Sequence, residues 1–460
     1  MIDAMYETLF RNALFPAYET WVKGRTIVAD LARLERQQWL TPAQLRQIQL
    51  DRLNALLAHG WAEVPFLRSY WGDHGVRPGA LGDVAELVAY PVLDKRIIRA
   101  NFEQMTAPGE RAAALEKTTS GSTAEPFRLR YSVASYSARN ARMWRGYRWA
   151  GTDLGRRTLY LWGIVPGHGR LAEWRDKAFH AAYNRHMLDS FHLSRDNVAD
   201  YVARINAYRP RSIIAYVTPL VVLAHAIREQ GLKVWRPENI ITGAEALDES
   251  QRALVESAFG APAFNTYGAR EFGLIGAECS AKTGVHVNID ELVVETVDDD
   301  HRPVQDRPGN VLITDTTNFA MPFVRFSIGD VGTCTSRTCP CGRGLPLFSA
   351  IHGRKLDLIR TRDGKWMPGE LFVALLMGFA VIEQFQVVQH DLDTLEIKVV
   401  PHASWQPHDA EIVRQALAKV VGPRIAISVN TVGALALTAT GKRRITISHV
   451  APLLVDESPA

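Results

Sequence analysis

The chain has 460 residues, 47% apolar and 22% charged, with 53 basic against 49 acidic residues for a net charge of +4. These are the proportions of an ordinary soluble globular protein; they exclude a disordered, collagen-like or coiled-coil chain, and the near-neutral balance gives no footprint for nucleic acid or an anionic membrane. Its four cysteines all fall between Cys279 and Cys341, too few for a disulfide scaffold, and the length predicts more than one domain.

The first twenty residues carry Asp3, Glu7, Arg11 and Glu19, which is not the pattern of a signal peptide. No apolar run is long enough to span a membrane, so the expected location is the cytoplasm. Residues 1–110 read as helices with loops. Thr41-Pro42 is the expected Ncap–N1 pair of a helix running to Gly60 with Leu45, Ile48, Leu53, Leu56 and Leu57 at helical spacing. Ser132–Trp149 is a second helix candidate. Short apolar runs at Thr158–Gly163, Ser212–Tyr216 and Asn239–Thr242 alternate with helical stretches at Arg195–Tyr208 and Thr218–Gln230, which predicts an α/β arrangement. From Val285 the pattern turns β-rich, with strands expected at Leu292–Val297 and Asn310–Thr314. Beyond Gly353 it changes again: a helix at Gly369–Phe379, strands at Gln384–Gln389 and Thr394–Val400, a helix at Asp409–Val421 and a strand at Arg424–Val429. The fold class expected is therefore α/β: a large N-terminal α/β domain over residues 1–352 with a β-rich subdomain, then a small α+β domain over 353–460.

Five segments carry chemistry. Thr118–Pro126 is a hydroxyl-rich turn whose backbone N–H groups and hydroxyls suit a polyphosphate; no Gly-Lys-Ser/Thr follows, so it is not a Walker A loop. It is followed by Asn265-Thr266-Tyr267-Gly268-Ala269-Arg270-Glu271, by Pro322–Asp330, by Gly353–Ile359 and by Thr440-Gly441-Lys442. Each alone is a common turn composition; their order and spacing together are distinctive.

In that order the five segments resemble the core motifs of the ANL superfamily of adenylate-forming enzymes. Tyr90–Lys95, Thr242–Glu245, His286–Asn288 and Cys339–Arg343 are similar to the phenylacetate–CoA ligase and CapK-like branch. The resemblance implies a small C-terminal domain that moves as a lid and carries the catalytic lysine. It implies that Ser120, Gly121, Ser122 and Thr123 hold the ATP phosphates, that Glu271 binds Mg²⁺, and that Tyr267 with Gly243, Ala244 and Glu245 borders the adenine. Asn265, Thr266 and Gly268 belong to the same nucleotide-binding segment. Asp330 would accept from the ribose hydroxyls, Arg354 would hold the ribose or phosphate side, and Lys442 would reach the α-phosphate and the substrate carboxylate. The chemistry accounts for the residue types: a carboxylate is its own nucleophile, so the protein must bring anions together and stabilise phosphoryl charge. Two departures stand out. Ala124 replaces a usual glycine, and Leu356 replaces the first of two usual acidic residues at the expected hinge, where Asp357 keeps the second.

Cys279, His286, Cys339 and Cys341 form a Cys₃His set suited to structural Zn²⁺, with Cys334 as an alternative ligand. Inert buried thiols and redox chemistry are the other readings. A zinc ion would pin the Ala277–His286 segment to the Thr333–Pro346 loop. By resemblance the reaction is ATP-dependent activation of an aryl or arylacetic acid to its acyl-adenylate and transfer to CoA as a thioester. Tyr136, Trp144 and Tyr216 could wall an apolar acid pocket. A carrier-protein thiol or an amine as acceptor, and an inactive zinc-containing binding protein, are the competing functions. The resemblance also allows a homodimer.

Overall fold

A computed structural model describes residues 2–119, 127–163, 170–193, 197–354, 359–360, 366–367, 372, 375–376, 378–422, 425–435 and 445–450. The chain opens with α1 (Ile2–Leu9), two π-helical turns (Phe10–Leu14 and Ala17–Val22), α2 (Ile27–Gln37), α3 (Pro42–Glu63), α4 (Pro65–Asp73) and the short α5 (Lys95–Ala100). The start of α3 follows from its residues. Thr41 accepts from the Gln44 N–H, and the Gln44 side chain accepts from the Thr41 N–H, a capping box with proline at the first turn. The hairpin β1 (Leu115–Thr119) and β2 (Phe127–Tyr131) precedes α6 (Val133–Trp149), which Ser132 caps through the Ser135 N–H.

An alternating stretch follows: β3 (Thr158–Trp162), α7 (Arg170–Ala182), β4 (Arg185–Asp189), α8 (Val198–Tyr208), β5 (Ser212–Tyr216), α9 (Val217–Glu229), β6 (Asn239–Gly243), α10 (Glu249–Phe259) and β7 (Ala263–Ala269). Helix α8 starts at Val198, three residues beyond the expected Arg195. Then come β8 (Gly273–Glu278), β9 (Val285–Val287), β10 (Leu292–Val297), β11 (Gly309–Asp315), β12 (Phe326–Thr335) and β13 (Leu347–Arg354). Among the described residues these form one sheet in the order β10-β11-β12-β13-β9-β8-β7-β6-β5-β3-β4. Strands β4, β3, β5, β6 and β7 are parallel; every pairing from β7–β8 onward is antiparallel. Every residue of β5 and β6 is buried, as expected for parallel strands covered on both faces. The mixed α/β class is as the sequence implies.

Helix α6 lies directly on the sheet. A Cβ on Gly146 would come within 2.4 Å of Leu274 Cδ2 and 3.0 Å of Ala277 Cβ on β8, so glycine sets the approach. The same helix buries three arginines at successive turns. Arg139 meets Asp315 at 3.0 Å, Arg142 meets Glu291 at 3.1 Å and Arg145 meets Asp290 at 2.5 Å. Buried cations persist only when paired in this way.

Residues after Gly353 form β14 (Ile359–Arg360) with β15 (Trp366–Met367). A separate four-stranded sheet contains β16 (Ile382–Asp391), β17 (Thr394–Pro401), β18 (Ala426–Thr431) and β19 (Thr446–Ser448) in the order β18-β17-β16-β19, covered by the helix Asp409–Val421. Val387, Leu395, Ile397, Val399, Val413 and Leu417 make its own core. The helix expected at 369–379 falls largely outside the described residues.

Candidate active site

The site is built at the carboxyl ends of the parallel strands. Strand order reverses between β3 and β5, the place where open α/β sheets leave a ligand crevice. There Trp162, ending β3, and Tyr216, ending β5, pack with ring centroids 3.9 Å apart and planes tilted by 36°. Next to them β6 ends in Gly243, where an added Cβ would meet Thr266 Oγ1 at 3.1 Å and Trp162 at 3.7 Å. Ala244 follows with φ +67, a left-handed conformation that a non-glycine residue adopts at a cost of about 1–2 kcal/mol. Such strain concentrates at functional sites, and no sequence signal announces it. Glu245 then accepts from the Thr218 N–H at 2.6 Å, placing a carboxylate at the start of α9. Burial pushes the Tyr216 phenol up to about 12, against the nearby Arg270 cation and with the help of Glu245.

Strands β7 and β8 form a hairpin that presents the second motif. Thr266 Oγ1 donates to the Thr242 carbonyl at 2.6 Å, and the Asn265 N–H donates to Glu278 at 2.7 Å, fixing β7 at both edges. A Cβ on Gly268 would come within 2.7 Å of the Gly273 carbonyl oxygen, so only glycine lets the hairpin close. Its turn holds Arg270, exposed, and Glu271, 4% exposed. Glu271 Oε1 is 2.8 Å from Lys95 Nζ at the start of α5, and Asp94 caps that helix by accepting from the Ile97 N–H. Lys95 also lies over the Phe127 ring at 5.5 Å, where the chain leaves the hydroxyl-rich turn. Phe127, Phe272, Phe323 and Phe326 pack ring to ring beneath this point. One aromatic cluster therefore seats the hairpin turn, the strand after the phosphate-loop candidate and the start of β12. Lys95 was not among the residues singled out from the sequence; the signal available was its place in the Tyr90–Lys95 segment.

The third and fourth motifs meet across β12 and β13. Tyr267 Oη donates to Asp330 Oδ2 at 2.9 Å, and Asp330 is the register partner of Arg354. Gly329 precedes it with φ +84. Arg325 is a structural clamp: it is buried, donates to the Val88 and Tyr90 carbonyls and faces Glu295 at 3.1 Å. Ser120, Gly121, Ser122, Thr123, Ala124, Leu356, Asp357 and Lys442 lie outside the described residues. Tyr136 and Trp144 sit on α6, and Trp144 belongs to the same buried N-terminal cluster as Phe10 and Tyr183.

Cys279, His286, Cys339 and Cys341 offer ligand atoms that all lie within 4.8 Å of one another. Cys279 Sγ is 3.6 Å from Cys339 Sγ, and Cys341 Sγ is 3.3 Å from His286 Nε2. Tetrahedral Zn²⁺ with bonds of roughly 2.0–2.3 Å requires edges of about 3.3–3.8 Å; these two separations fall in that range, and the soft thiols with an imidazole are the donor types that suit this metal. The Leu345 carbonyl accepts from His286 Nδ1 at 3.3 Å, which leaves Nε2 facing the thiols. Burial pulls the imidazole down to about 4, so the ring is neutral near pH 7, the form that ligates. Burial pushes the Cys279 thiol up to about 12, which a cation would reverse. Cys334 lies on β12 opposite Phe348, outside this group. Strand β8 runs from the Glu271 turn straight to Cys279.

Residues 359–449 match the CapK C-terminal domain. A phenylacetate-coenzyme A ligase of Thermus thermophilus is 27% identical over 375 residues, 77% of this chain and 81% of that protein. Protein CapK of Staphylococcus aureus is 21% identical over 80% of this chain and 81% of its own length. The solved structure of a 2-hydroxyisobutyryl-CoA ligase in the postadenylation state, 18% identical, shares the fold with a TM-score of 0.71 over 90% of this chain and 91% of that one. With the order of the five segments, these likenesses support the resemblance to the phenylacetate–CoA ligase and CapK-like branch of the adenylate-forming ANL superfamily.

Proposed function

We propose that the protein activates a carboxylic acid with ATP to an acyl-adenylate and passes the acyl group to CoA, as an AMP-forming acid–thiol ligase. The observation that carries this reading is that the β7–β8 hairpin presents two of the expected pairs, Glu271 with Lys95 at its turn and Tyr267 with Asp330 along β7, in a chain similar to this branch. The residue roles are part of the proposal. Asp330, oriented by Tyr267, accepts from the ribose hydroxyls; Gly243, Ala244 and Tyr267 border the base; residues 120–123 receive the phosphates. Glu271 holds Mg²⁺, which when bound neutralises phosphate charge. Lys442 brings a cation from the 353–460 unit to the α-phosphate, with Arg354 beside the ribose. The substrate carboxylate oxygen bonds to the α-phosphorus while the bond to the pyrophosphate oxygen breaks. The thiol sulfur then bonds to the acyl carbon, loses its proton, and AMP departs with the former carboxylate oxygen. Zn²⁺ held by Cys279, His286, Cys339 and Cys341 would brace β8 and the loop before β13 without touching substrate.

The likeness to Protein CapK favours testing other acceptors beside CoA. The experiment is a pyrophosphate-release screen of carboxylic acids, followed by acceptor-dependent AMP release with CoA, a pantetheinylated carrier protein and amines. CoA-dependent AMP release supports the reading; pyrophosphate release followed only by carrier- or amine-dependent AMP release would replace the acceptor.

A further inference from the structure

The charged residues that open the chain are turned inward. Residues 2–22 form one helical rod, α1 followed by the two π-helical turns. Asp3 meets Arg157 at 3.3 Å, Glu7 meets Arg211 at 2.8 Å, Arg11 meets Asp153 at 3.2 Å, and the buried Glu19 meets Arg25 at 3.1 Å. Phe10 and Phe15, on the same side, belong to the buried cluster that holds Leu31, Leu34 and Trp144. The other face is exposed and apolar. It carries Met5, Leu9, Leu14, Tyr18, Trp21 and Val22, with Trp21 84% and Val22 69% exposed. Among the exposed residues from Ala4 to Val22 none is charged. A surface helix ordinarily has the opposite arrangement, apolar side inward and charges outward.

The π-helical turns keep this stripe on one side. Met5, Leu9, Leu14, Tyr18 and Val22 are four, five, four and four residues apart, and at 3.6 residues per turn such a row drifts around the helix. The Phe15 N–H donates to the Phe10 carbonyl and the Lys23 N–H to the Tyr18 carbonyl, five residues back. These wider turns hold the row in line. By their fractional exposures the six residues leave roughly 700 Å² in solvent, more than the largest patch of a typical monomer (~300–600 Å²) and near the ~800 Å² that each partner buries in a stable complex.

The spacing also selects the partner. The row reads nearly the same from either end: about a point between Ala13 and Leu14, Met5 mirrors Val22 and Leu9 mirrors Tyr18. Two copies laid antiparallel across a two-fold axis at that point set Met5 against the partner's Val22, Leu9 against the partner's Tyr18 and Leu14 against the partner's small Ala13. Such a contact is self-complementary and brings no like charges together. A membrane surface is the poorer match, because a helix lying on one keeps cations on its polar face for anionic headgroups. Here Arg11 is committed to Asp153, and Lys23 lies over the Tyr18 ring at 5.4 Å. We infer that the 2–22 helix is the interface of a homodimer, its apolar stripe covered by the same stripe of a second copy. This goes beyond the ligase reading and does not rest on it.

The test is sedimentation equilibrium of the full chain. At micromolar concentration the wild type should have twice the 51.3 kDa mass of one chain. Leu14→Glu brings two carboxylates together at the axis and should weaken association about 100-fold or more. Leu9→Lys and Tyr18→Glu should each weaken it, and an equimolar mixture of the two should dimerise again, because the antiparallel register sets these positions against each other. All three positions are exposed in the single chain, so the variants keep the fold, which circular dichroism checks; the wild-type mass decides even if one folds poorly. A wild type that stays monomeric at about 50 µM, where a stable interface would be filled, overturns the inference, and so does such a monomer sedimenting with phosphatidylcholine–phosphatidylglycerol vesicles. A dimer indifferent to Leu14→Glu, or a mixture that stays monomeric, overturns it as well.

Discussion

Replacing Lys95 with methionine removes the cation facing Glu271 and keeps an apolar stem over Phe127. At 2.8 Å, an effective dielectric near 20 gives a gross attraction of roughly 6 kcal/mol. Solvent takes part of this back, because the lysine side chain is 31% exposed while that of Glu271 is 6% exposed. Ordering the lysine takes back more. About 2 kcal/mol remains, the range of a hydrogen bond to a charged partner. The assay is urea unfolding of the full chain with and without Mg–ATP. Without ligand the variant should unfold at a midpoint lower by roughly 0.5 M. With Mg–ATP the deficit should shrink, since the metal then supplies the positive charge that Glu271 requires. An equal deficit under both conditions would refute Glu271 as the metal-binding carboxylate, and no deficit without ligand would refute the pair's contribution.

Three further outcomes follow from the same geometry. Cys341→Ala should purify with less than ~0.2 zinc per chain where the wild type is nearly full, as expected of a structural site; equal, near-zero metal in both would remove the zinc assignment. Tyr267→Phe deletes the donor to Asp330 and should raise the KM for ATP about tenfold with a smaller change in kcat; steady-state kinetics with an unchanged KM would show that Asp330 needs no such partner. Gly146→Ala should cost about 1–3 kcal/mol by wedging α6 off β8; an unchanged thermal midpoint would contradict that packing.

The parallel strands were legible because strands buried on both faces carry unbroken apolar runs, as in Ser212–Tyr216. The helix at Thr41-Pro42 was legible because its cap is local. The β7–β8 hairpin was not, since Asn265–Ala269 has neither apolar alternation nor a common turn pair, and its closure depends on Gly268 meeting Gly273. Helix α6 was legible as a helix but not as a buried one. Its arginines look like a solvated face until Asp290 and Glu291 arrive from the turn before β10, and Asp315 from the end of β11, more than a hundred residues away. Separation along the chain likewise hid the Lys95–Glu271 pair and the Tyr267–Asp330 hydrogen bond, the latter across 63 residues. Motif order could bring those segments together in a reader's mind only through family resemblance, whereas the Cys₃His set could be assembled from residue type alone.

The central claim is that this chain forms acyl-adenylates, and ATP–pyrophosphate exchange in wild type and Lys442→Ala measures it most directly. The account predicts acid-dependent exchange in the wild type and a loss of at least ~10²-fold in the variant, the effect of removing one transition-state donor. Exchange near the wild-type rate in Lys442→Ala would contradict the role given to that lysine, and a wild type that exchanges pyrophosphate with no acid would contradict the account as a whole.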